Sequence, residues 1–408
     1  MKAIFVLSGI LLLGIVHPAL GQERDRSVSD FELRIPTLPY YSFGSGLGLT
    51  SPDSTFRLNI RFRMQNRTTF VSNENEDDRI EASVRRLRLR FDGFVGDPQF
   101  LYAIQLSFAP GDVGEITPGD NLNIIRDAVF FYRPNDRWSI GFGQTKLPGN
   151  RQRVNSSGAL QFTDRSINNA RFNIDRDYGI FLNFQEEHRN QFSYAIKTAI
   201  STGDGRNYTR NSDTRLAYTG RIELFPLGTF QSNGFLFEGD LKREETAKIL
   251  LGATFHYNKD ARRTQGQLGP SLFETRDLRS FFLDGMLKYR GFAFQTAYMN
   301  RYSENPLTFN PQDQTIFNFV QTGHGLDFQA SYLFPSDYEI AARFSTLQPG
   351  SKIKMFQPQI DQYSVGFTRY IWEHALKLQT ELTATQTNHP VNGKTTGWYA
   401  RFQVEIGI

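Results

Sequence analysis

Hydrophobic and polar residues alternate with period two along most of the chain, the signature of strands with one apolar face. In the clearest run, Trp398, Ala400, Phe402, Val404, Ile406 and Ile408 share one face, and Tyr399, Arg401, Gln403, Glu405 and Gly407 share the other. Between Thr55 and Arg67, Phe56, Leu58, Ile60, Phe62 and Met64 oppose Arg57, Asn59, Arg61, Arg63, Gln65 and Arg67. Between Val84 and Val95, Leu87, Leu89, Phe91 and Val95 oppose Arg86, Arg88, Arg90 and Asp92. Similar runs follow at 99–108, 123–133, 137–145, 177–185, 191–200, 214–225, 247–257, 278–289, 292–300, 324–333, 337–345, 361–371, 375–385 and 397–408, which makes 16 with the first two. A further run, Gly234 to Leu241, is interrupted by Glu238-Gly239-Asp240 and reads as a turn region. About 9–11 tilted residues cross the hydrocarbon of a bilayer as a strand. The pattern predicts an all-β fold, a 16-stranded antiparallel transmembrane β-barrel.

The connections alternate in length. Short ones are Gly96-Asp97-Pro98, Pro134-Asn135-Asp136, Glu186 to Asn190, Arg290-Gly291, Pro335-Ser336 and Trp372 to His374. Long polar ones lie at 68–83, 109–122, 146–176, 201–213, 258–277, 301–323, 346–360 and 386–396. Short periplasmic turns and long outer loops characterise outer-membrane barrels. The link 226–246 departs from this rule, being long on the short side.

Composition agrees with half-wet strands. Aromatic residues make 14% of the 408, yet the hydrophobic share is 39% and the mean hydropathy −0.45. After the N-terminus no run is long and apolar enough for a membrane helix. Met1 and Lys2 followed by the apolar stretch Ala3–Val16 and by Ala19-Leu20-Gly21 predict a cleaved signal peptide over 1–21. Residues 22–54, with Pro36, Pro39 and the glycine-rich run Phe43 to Gly48, are expected to form a periplasmic arm or plug, and 55–408 the barrel. Cysteine is absent, which excludes disulfides and thiolate chemistry. The six histidines are scattered without metal-ligand spacing, and no serine nucleophile elbow is present. Neither an enzyme nor a resident cofactor or metal is expected. A net charge of +4 from 46 basic and 42 acidic residues gives no reason to expect nucleic acid.

The basic residues are mostly arginine, 35 against 11 lysines. Arginine presents a planar, always-charged fork suited to oxyanions. Arg57, Arg61, Arg63 and Arg67 on the first strand and Arg86, Arg88 and Arg90 on the second would form a two-column patch on the lumen wall. The longest link, 146–176, follows the fifth strand and is expected to fold into the lumen. It carries Lys146, Arg151, Arg153, Arg165, Arg171 and Arg176 against Asp164 and Asp175, a net +4. Rings of basic side chains favour anions in a pore. The same arginines can instead pair across strands with Asp92, Asp127, Glu223 or Glu405.

The runs Leu87-Arg88-Leu89-Arg90-Phe91-Asp92-Gly93, Ile125-Arg126-Asp127-Ala128, Gly143-Gln144-Thr145-Lys146-Leu147-Pro148 and Asp175-Arg176-Asp177-Tyr178-Gly179 resemble those of the phosphate-selective porin O/P family, most clearly from Arg86 to Phe184. The resemblance implies a 16-stranded porin of the Gram-negative outer membrane, commonly a homotrimer, that passes small anionic solutes, phosphate-like oxyanions among them. It also implies contact with outer-membrane lipid and lipopolysaccharide, and insertion by the outer-membrane assembly machinery. The pore-lining set expected here is Arg57, Arg61, Arg63, Arg86, Arg88, Arg90, Lys146, Arg151, Arg153, Arg165 and Arg171. The alternative is a barrel plugged by its own loop that serves as a scaffold or interaction partner.

Overall fold

The structure is a computed structural model that describes residues 46–74, 76–113, 123–207 and 214–408. The segment 1–21 expected as a signal, and residues 22–45 of the expected arm, lie outside the described residues. The strands are β1 (Leu47–Thr50), β2 (Phe56–Asn73), β3 (Arg79–Val95), β4 (Asp97–Ser107), β5 (Ile125–Tyr132), β6 (Trp138–Lys146), β7 (Arg176–Glu186), β8 (Ser193–Ser201), β9 (Ala217–Phe225), β10 (Lys248–Arg263), β11 (Ser271–Tyr289), β12 (Phe292–Tyr302), β13 (Leu307–Phe309), β14 (Phe317–Phe319), β15 (Gly323–Leu333), β16 (Tyr338–Pro349), β17 (Gln359–Trp372), β18 (Leu376–His389) and β19 (Gly393–Gly407).

Sixteen of these close into an antiparallel barrel in which each strand pairs with its neighbours in sequence. β13 and β14 form a separate hairpin in the link from β12 to β15. The ring closes where β19 pairs with β2, from Gly397 opposite Asn73 to Gly407 opposite Arg63. Below that point β1 takes over the same edge of β2, with Leu47 opposite Ile60 and Thr50 opposite Arg57. Closure leaves no free sheet edge to expose backbone donors and acceptors to hydrocarbon, which an open sheet cannot achieve.

Alternation sorts the side chains. Outward residues such as Phe142, Ile180 and Val365 are 55%, 55% and 57% accessible, the lipid-facing band of a barrel. Aromatic rings pair along both rims of that band. At the periplasmic rim Phe100 meets Tyr132 at 5.2 Å, Trp138 meets Phe184 at 4.9 Å and Tyr332 meets Phe334 at 5.1 Å. At the outer rim Phe142 meets Tyr178 at 5.4 Å and Phe70 meets Trp398 at 5.3 Å. Rings at headgroup depth fix the height of the barrel. The Arg290-Gly291 link has φ of 48° and 91°, a tight two-residue hairpin whose twist matches its strands.

Three links expected as long loops are instead paired ribbon. β2 and β3 run to Asn73 and from Arg79, β10 and β11 to Arg263 and from Ser271, and β18 and β19 to His389 and from Gly393. Beyond the membrane both faces of a ribbon meet water, so period two disappears from the sequence while the backbone pairing continues. The region Gly234 to Leu241 is turn, as its glycine and charges suggest, and just before it the chain kinks at Ser232 and Asn233, both with positive φ.

Leu283, on the outward face of β11, is 44% accessible and lies within the membrane portion of its strand. Replacing it with arginine is expected to destabilise the barrel by about 2–4 kcal/mol, read from denaturant unfolding in lipid vesicles.

Candidate functional site: the arginine wall and the lumen loop

β2 and β3 set their arginines side by side. Arg61 lies opposite Arg90, Arg63 opposite Arg88, and Gln65 opposite Arg86. Like charges directly opposite repel, so each needs a counter-charge or an oxygen. Asp92 serves Arg90 at 2.8 Å and Arg61 at 3.5 Å. Glu405 of β19 stands 3.8 Å from Arg63. Asp112, on a short helix α1 (Pro110–Val113), pairs with Arg88 at 2.7 Å and with Arg126 of β5 at 2.9 Å. Arg57 donates to Asn59 at 3.1 Å near the periplasmic end. Gly93, which closes the Leu87–Gly93 run, is a glycine for steric reasons: a Cβ there would stand 1.8 Å from the Arg57 carbonyl oxygen.

A residue that alternation assigns to the lipid face also joins this wall. Register slips between Gln65 and Asn66 of β2, leaving Arg85 as the extra residue of a bulge. Bulges re-aim side chains, and Arg85 turns to the lumen beside Arg86. Arg85, Arg86 and Arg67 then converge on one carboxylate, that of Asp164, at 2.8, 3.2 and 3.1 Å. Burial opposes the charge of Asp164, but Arg86, Arg85 and Arg67 outweigh it and hold the carboxyl well below the usual carboxylate range.

Asp164 belongs to the link 146–176, which hydrogen-bonds to inward side chains around the ring and therefore lies across its interior. Two short helices organise it. α2 (Arg151–Val154) is capped by Asn150, whose side chain accepts from Arg153 N. α3 (Ile167–Phe172) is capped by Ser166, which accepts from Asn169 N. Ser166 also donates to Asp327 of β15 at 2.7 Å. Basic side chains close both helix C-termini. Lys146 donates to the Val154 and Asn155 carbonyls at 2.7 and 3.1 Å. Arg301 of β12 donates to those of Arg171, Phe172 and Asn173 at 2.9, 2.9 and 2.8 Å. Cations suit the negative end of a helix. Elsewhere Lys377 of β18 grips the Gly158 and Leu160 carbonyls, both at 2.8 Å. Glu381 accepts from Thr163 N at 3.0 Å, and Arg343 of β16 lies 4.3 Å over the Phe162 ring.

Apolar contacts seat the two ends of the loop. Leu147, Phe172 and Ile174 pack against Phe181, Ala199, Phe282, Met299 and Leu347, which face inward where alternation otherwise places polar residues. Between α2 and the β11–β15 wall lies a cavity of about 30 Å³, lined in part by Arg151, Asp284 and Gln329. That is room for about one water. The opposite edge of the loop meets the arginine wall through side chains. Arg63 donates to Ser156 and Ser157 at 2.9 and 2.6 Å, and Arg88 to Ser157 at 3.2 Å.

The loop cations thus have separate surroundings. Arg151 pairs with Glu223 of β9, and its guanidinium lies 5.3 Å over Phe235. Arg153 pairs with Asp175 at 2.7 Å. Arg165 donates to the Gln152 and Asn155 carbonyls at 2.7 and 2.9 Å. Arg171 is half-buried, and its side chain makes no ion pair among the described residues. Asp92, Asp127, Glu223 and Glu405 each pair with a basic side chain. Gly203 N and Gly205 N, in the turn after β8, donate to the Asp177 carboxylate at 2.7 and 3.2 Å.

Residues 56–233 match the family described as phosphate-selective porin O and P. No curated protein sequence matches the chain. Among solved structures the fold resembles the outer membrane channel DcaP of Acinetobacter baumannii, with TM-score 0.54 and 11% identity over 88% of this chain and 99% of that one. It resembles an anion-selective porin from Comamonas acidovorans, with TM-score 0.55 and 8% identity over 86% and 100%. It also resembles Salmonella typhi OmpF, solved in complex with daunomycin, with TM-score 0.53 and 12% identity over 88% and 100%. The chain is an outer-membrane β-barrel of the porin fold, and its residues from β2 to just beyond β9 carry the pattern of the phosphate-selective porin O and P family.

Proposed function

We propose that the protein is an outer-membrane porin that lets small solutes diffuse passively and favours anions. The observation that carries this reading is a charge imbalance at the arginine wall. Five arginines, Arg67, Arg85, Arg86, Arg88 and Arg126, share two carboxylates, those of Asp164 and Asp112. Asp164 and Arg85 are about a quarter accessible, so this part of the cluster meets the aqueous interior, with Arg86, Arg88 and Arg126 largely buried behind it. Arg171 adds a further cation on the loop. A passing anion would exchange between guanidinium groups already partly engaged, which favours transit over capture. Of the sequence-derived set, Arg57, Arg61, Arg63, Arg86, Arg88 and Arg90 would form the track, and Lys146, Arg151 and Arg165 act mainly by holding the loop in place. The family resemblance makes phosphate-like oxyanions the first solutes to test, and a homotrimer inserted by the outer-membrane assembly machinery the expected assembly.

A second reading has its own observation. The loop bonds to the β2–β3 wall on one side and to β11, β12, β15, β16 and β18 on the other, which suits a barrel plugged as a scaffold. Planar-bilayer recording separates the two. The porin reading predicts discrete conductance steps and, in a KCl gradient, a reversal potential on the Cl⁻ side. A silent protein would favour the plug, and cation preference would contradict the anion track.

Charge changes at Asp164 should move selectivity in opposite directions. Arg67→Gln combined with Arg85→Gln should lower the Cl⁻/K⁺ permeability ratio by about two- to threefold, and Asp164→Asn should raise it by a similar factor. Unchanged ratios in both folded variants would leave these side chains purely structural.

A further inference from the structure

The link 226–246, which broke the loop-length rule, enters the barrel from the periplasmic end. Phe225, Phe230 and Phe235 form a cluster with Leu250 of β10 and Met286 of β11. Lys288 of β11 donates to the carbonyls of Gly234, Phe237 and Gly239 at 2.8, 3.0 and 2.5 Å. Asp240 accepts from Gly291 N at 2.7 Å and from Glu244 N at 3.1 Å. The segment is thus anchored on the wall by ring packing, an ammonium and a carboxylate.

Its inner tip is joined to the lumen loop. Glu238 is fully buried. Its carboxylate accepts from Gln152 Nε2 at 3.0 Å, from Gln161 N at 2.9 Å and from Gln329 Nε2 of β15 at 3.1 Å. Glu238 N donates to the Ala159 carbonyl at 3.1 Å, and Asn155 Nδ2 to the Phe235 carbonyl at 3.4 Å. Among the described residues no cation stands within ion-pair distance of Glu238, although Lys288, Lys377 and Arg165 act on its charge from further away. A buried carboxylate held by neutral N–H groups is costly unless all of them stay in place. This one takes donors from the loop at two points and from the wall at a third.

We propose that 226–246 is an internal strut. It fixes the lumen loop across the barrel from the periplasmic side and so sets the aperture of the pore, with Glu238 as the positioning residue that joins strut, loop and wall. The aperture clause rests on the channel reading; the joint itself does not. The strut meets the β2–β3 arginines through the loop it holds, whose Ser156, Ser157 and Asp164 bond to them.

The test uses the full chain with Ser156→Cys, its only thiol, because the natural sequence has no cysteine. The readout is the rate at which a maleimide labels position 156 in detergent, compared with and without Glu238→Ala, in protein whose heat-modifiable mobility shows an intact barrel. Labelling should be about tenfold faster in the Glu238→Ala background, as the joint loses three buried hydrogen bonds at once, two of them from the loop. Glu238→Gln, which keeps the shape but adds a clashing donor, should give a smaller rise and serves if the alanine variant does not fold. In bilayers, folded Glu238→Ala with Ser156 left in place should show larger conductance steps. Unchanged labelling in both folded variants would overturn the strut. Faster labelling in a protein that never conducts would uphold the strut and overturn the channel reading instead.

Discussion

The structure depends on one constraint, that no backbone N–H or C=O of the wall may be left unpaired in hydrocarbon. A ring in which β19 returns to β2 is the answer, and it turns the usual protein inside out. Apolar side chains face outward to lipid, and the residues shielded from lipid are arginines, carboxylates and amides. Such an interior cannot be held by hydrophobic packing alone. It needs matched charges and satisfied carbonyls, and the chain supplies both from segments that fold back inside.

The lumen loop is the main such segment. Its irregular backbone would leave carbonyls exposed, and the wall answers with cations placed to receive them: Arg301 behind α3, Lys146 behind α2, Lys377 beneath Gly158 and Leu160. In return Asp164 brings a negative charge to three crowded arginines. Removing one partner of a buried charged group leaves the other exposed to the full desolvation cost, so loop and wall specify each other. What remains unbalanced, an excess of guanidinium over carboxylate on β2, β3 and β5, is the feature on which the proposed anion preference rests.

Much of the fold was legible because a lipid-facing strand must alternate. All 16 barrel strands are visible in that pattern, and the side-by-side arginines follow from it once β2 and β3 pair. Three kinds of feature were not legible. Ribbons above the membrane, such as Ala261 to Arg263 against Ser271 to Arg276, lose the apolar face that marks a strand. Arg85 turns inward through a bulge, and a one-residue slip leaves no trace in a periodic pattern. The clamps at Arg301, Lys288 and Lys377 and the joint at Glu238 bring together residues far apart in sequence, and only the folded chain shows which carbonyls need a partner. Glu238, which marked a turn in the sequence, proves to be a buried link between two inward segments.

The closed ring itself can be tested across its seam, where Asn66 of β2 lies opposite Val404 of β19. With Asn66→Cys and Val404→Cys in an otherwise thiol-free chain, directly opposed positions on paired strands fall within reach of a disulfide. The account predicts that membrane-inserted protein forms this bond within one chain on mild oxidation and stays folded. Cross-links only between chains, or free thiols in a folded protein, would contradict the closed barrel on which the rest is built.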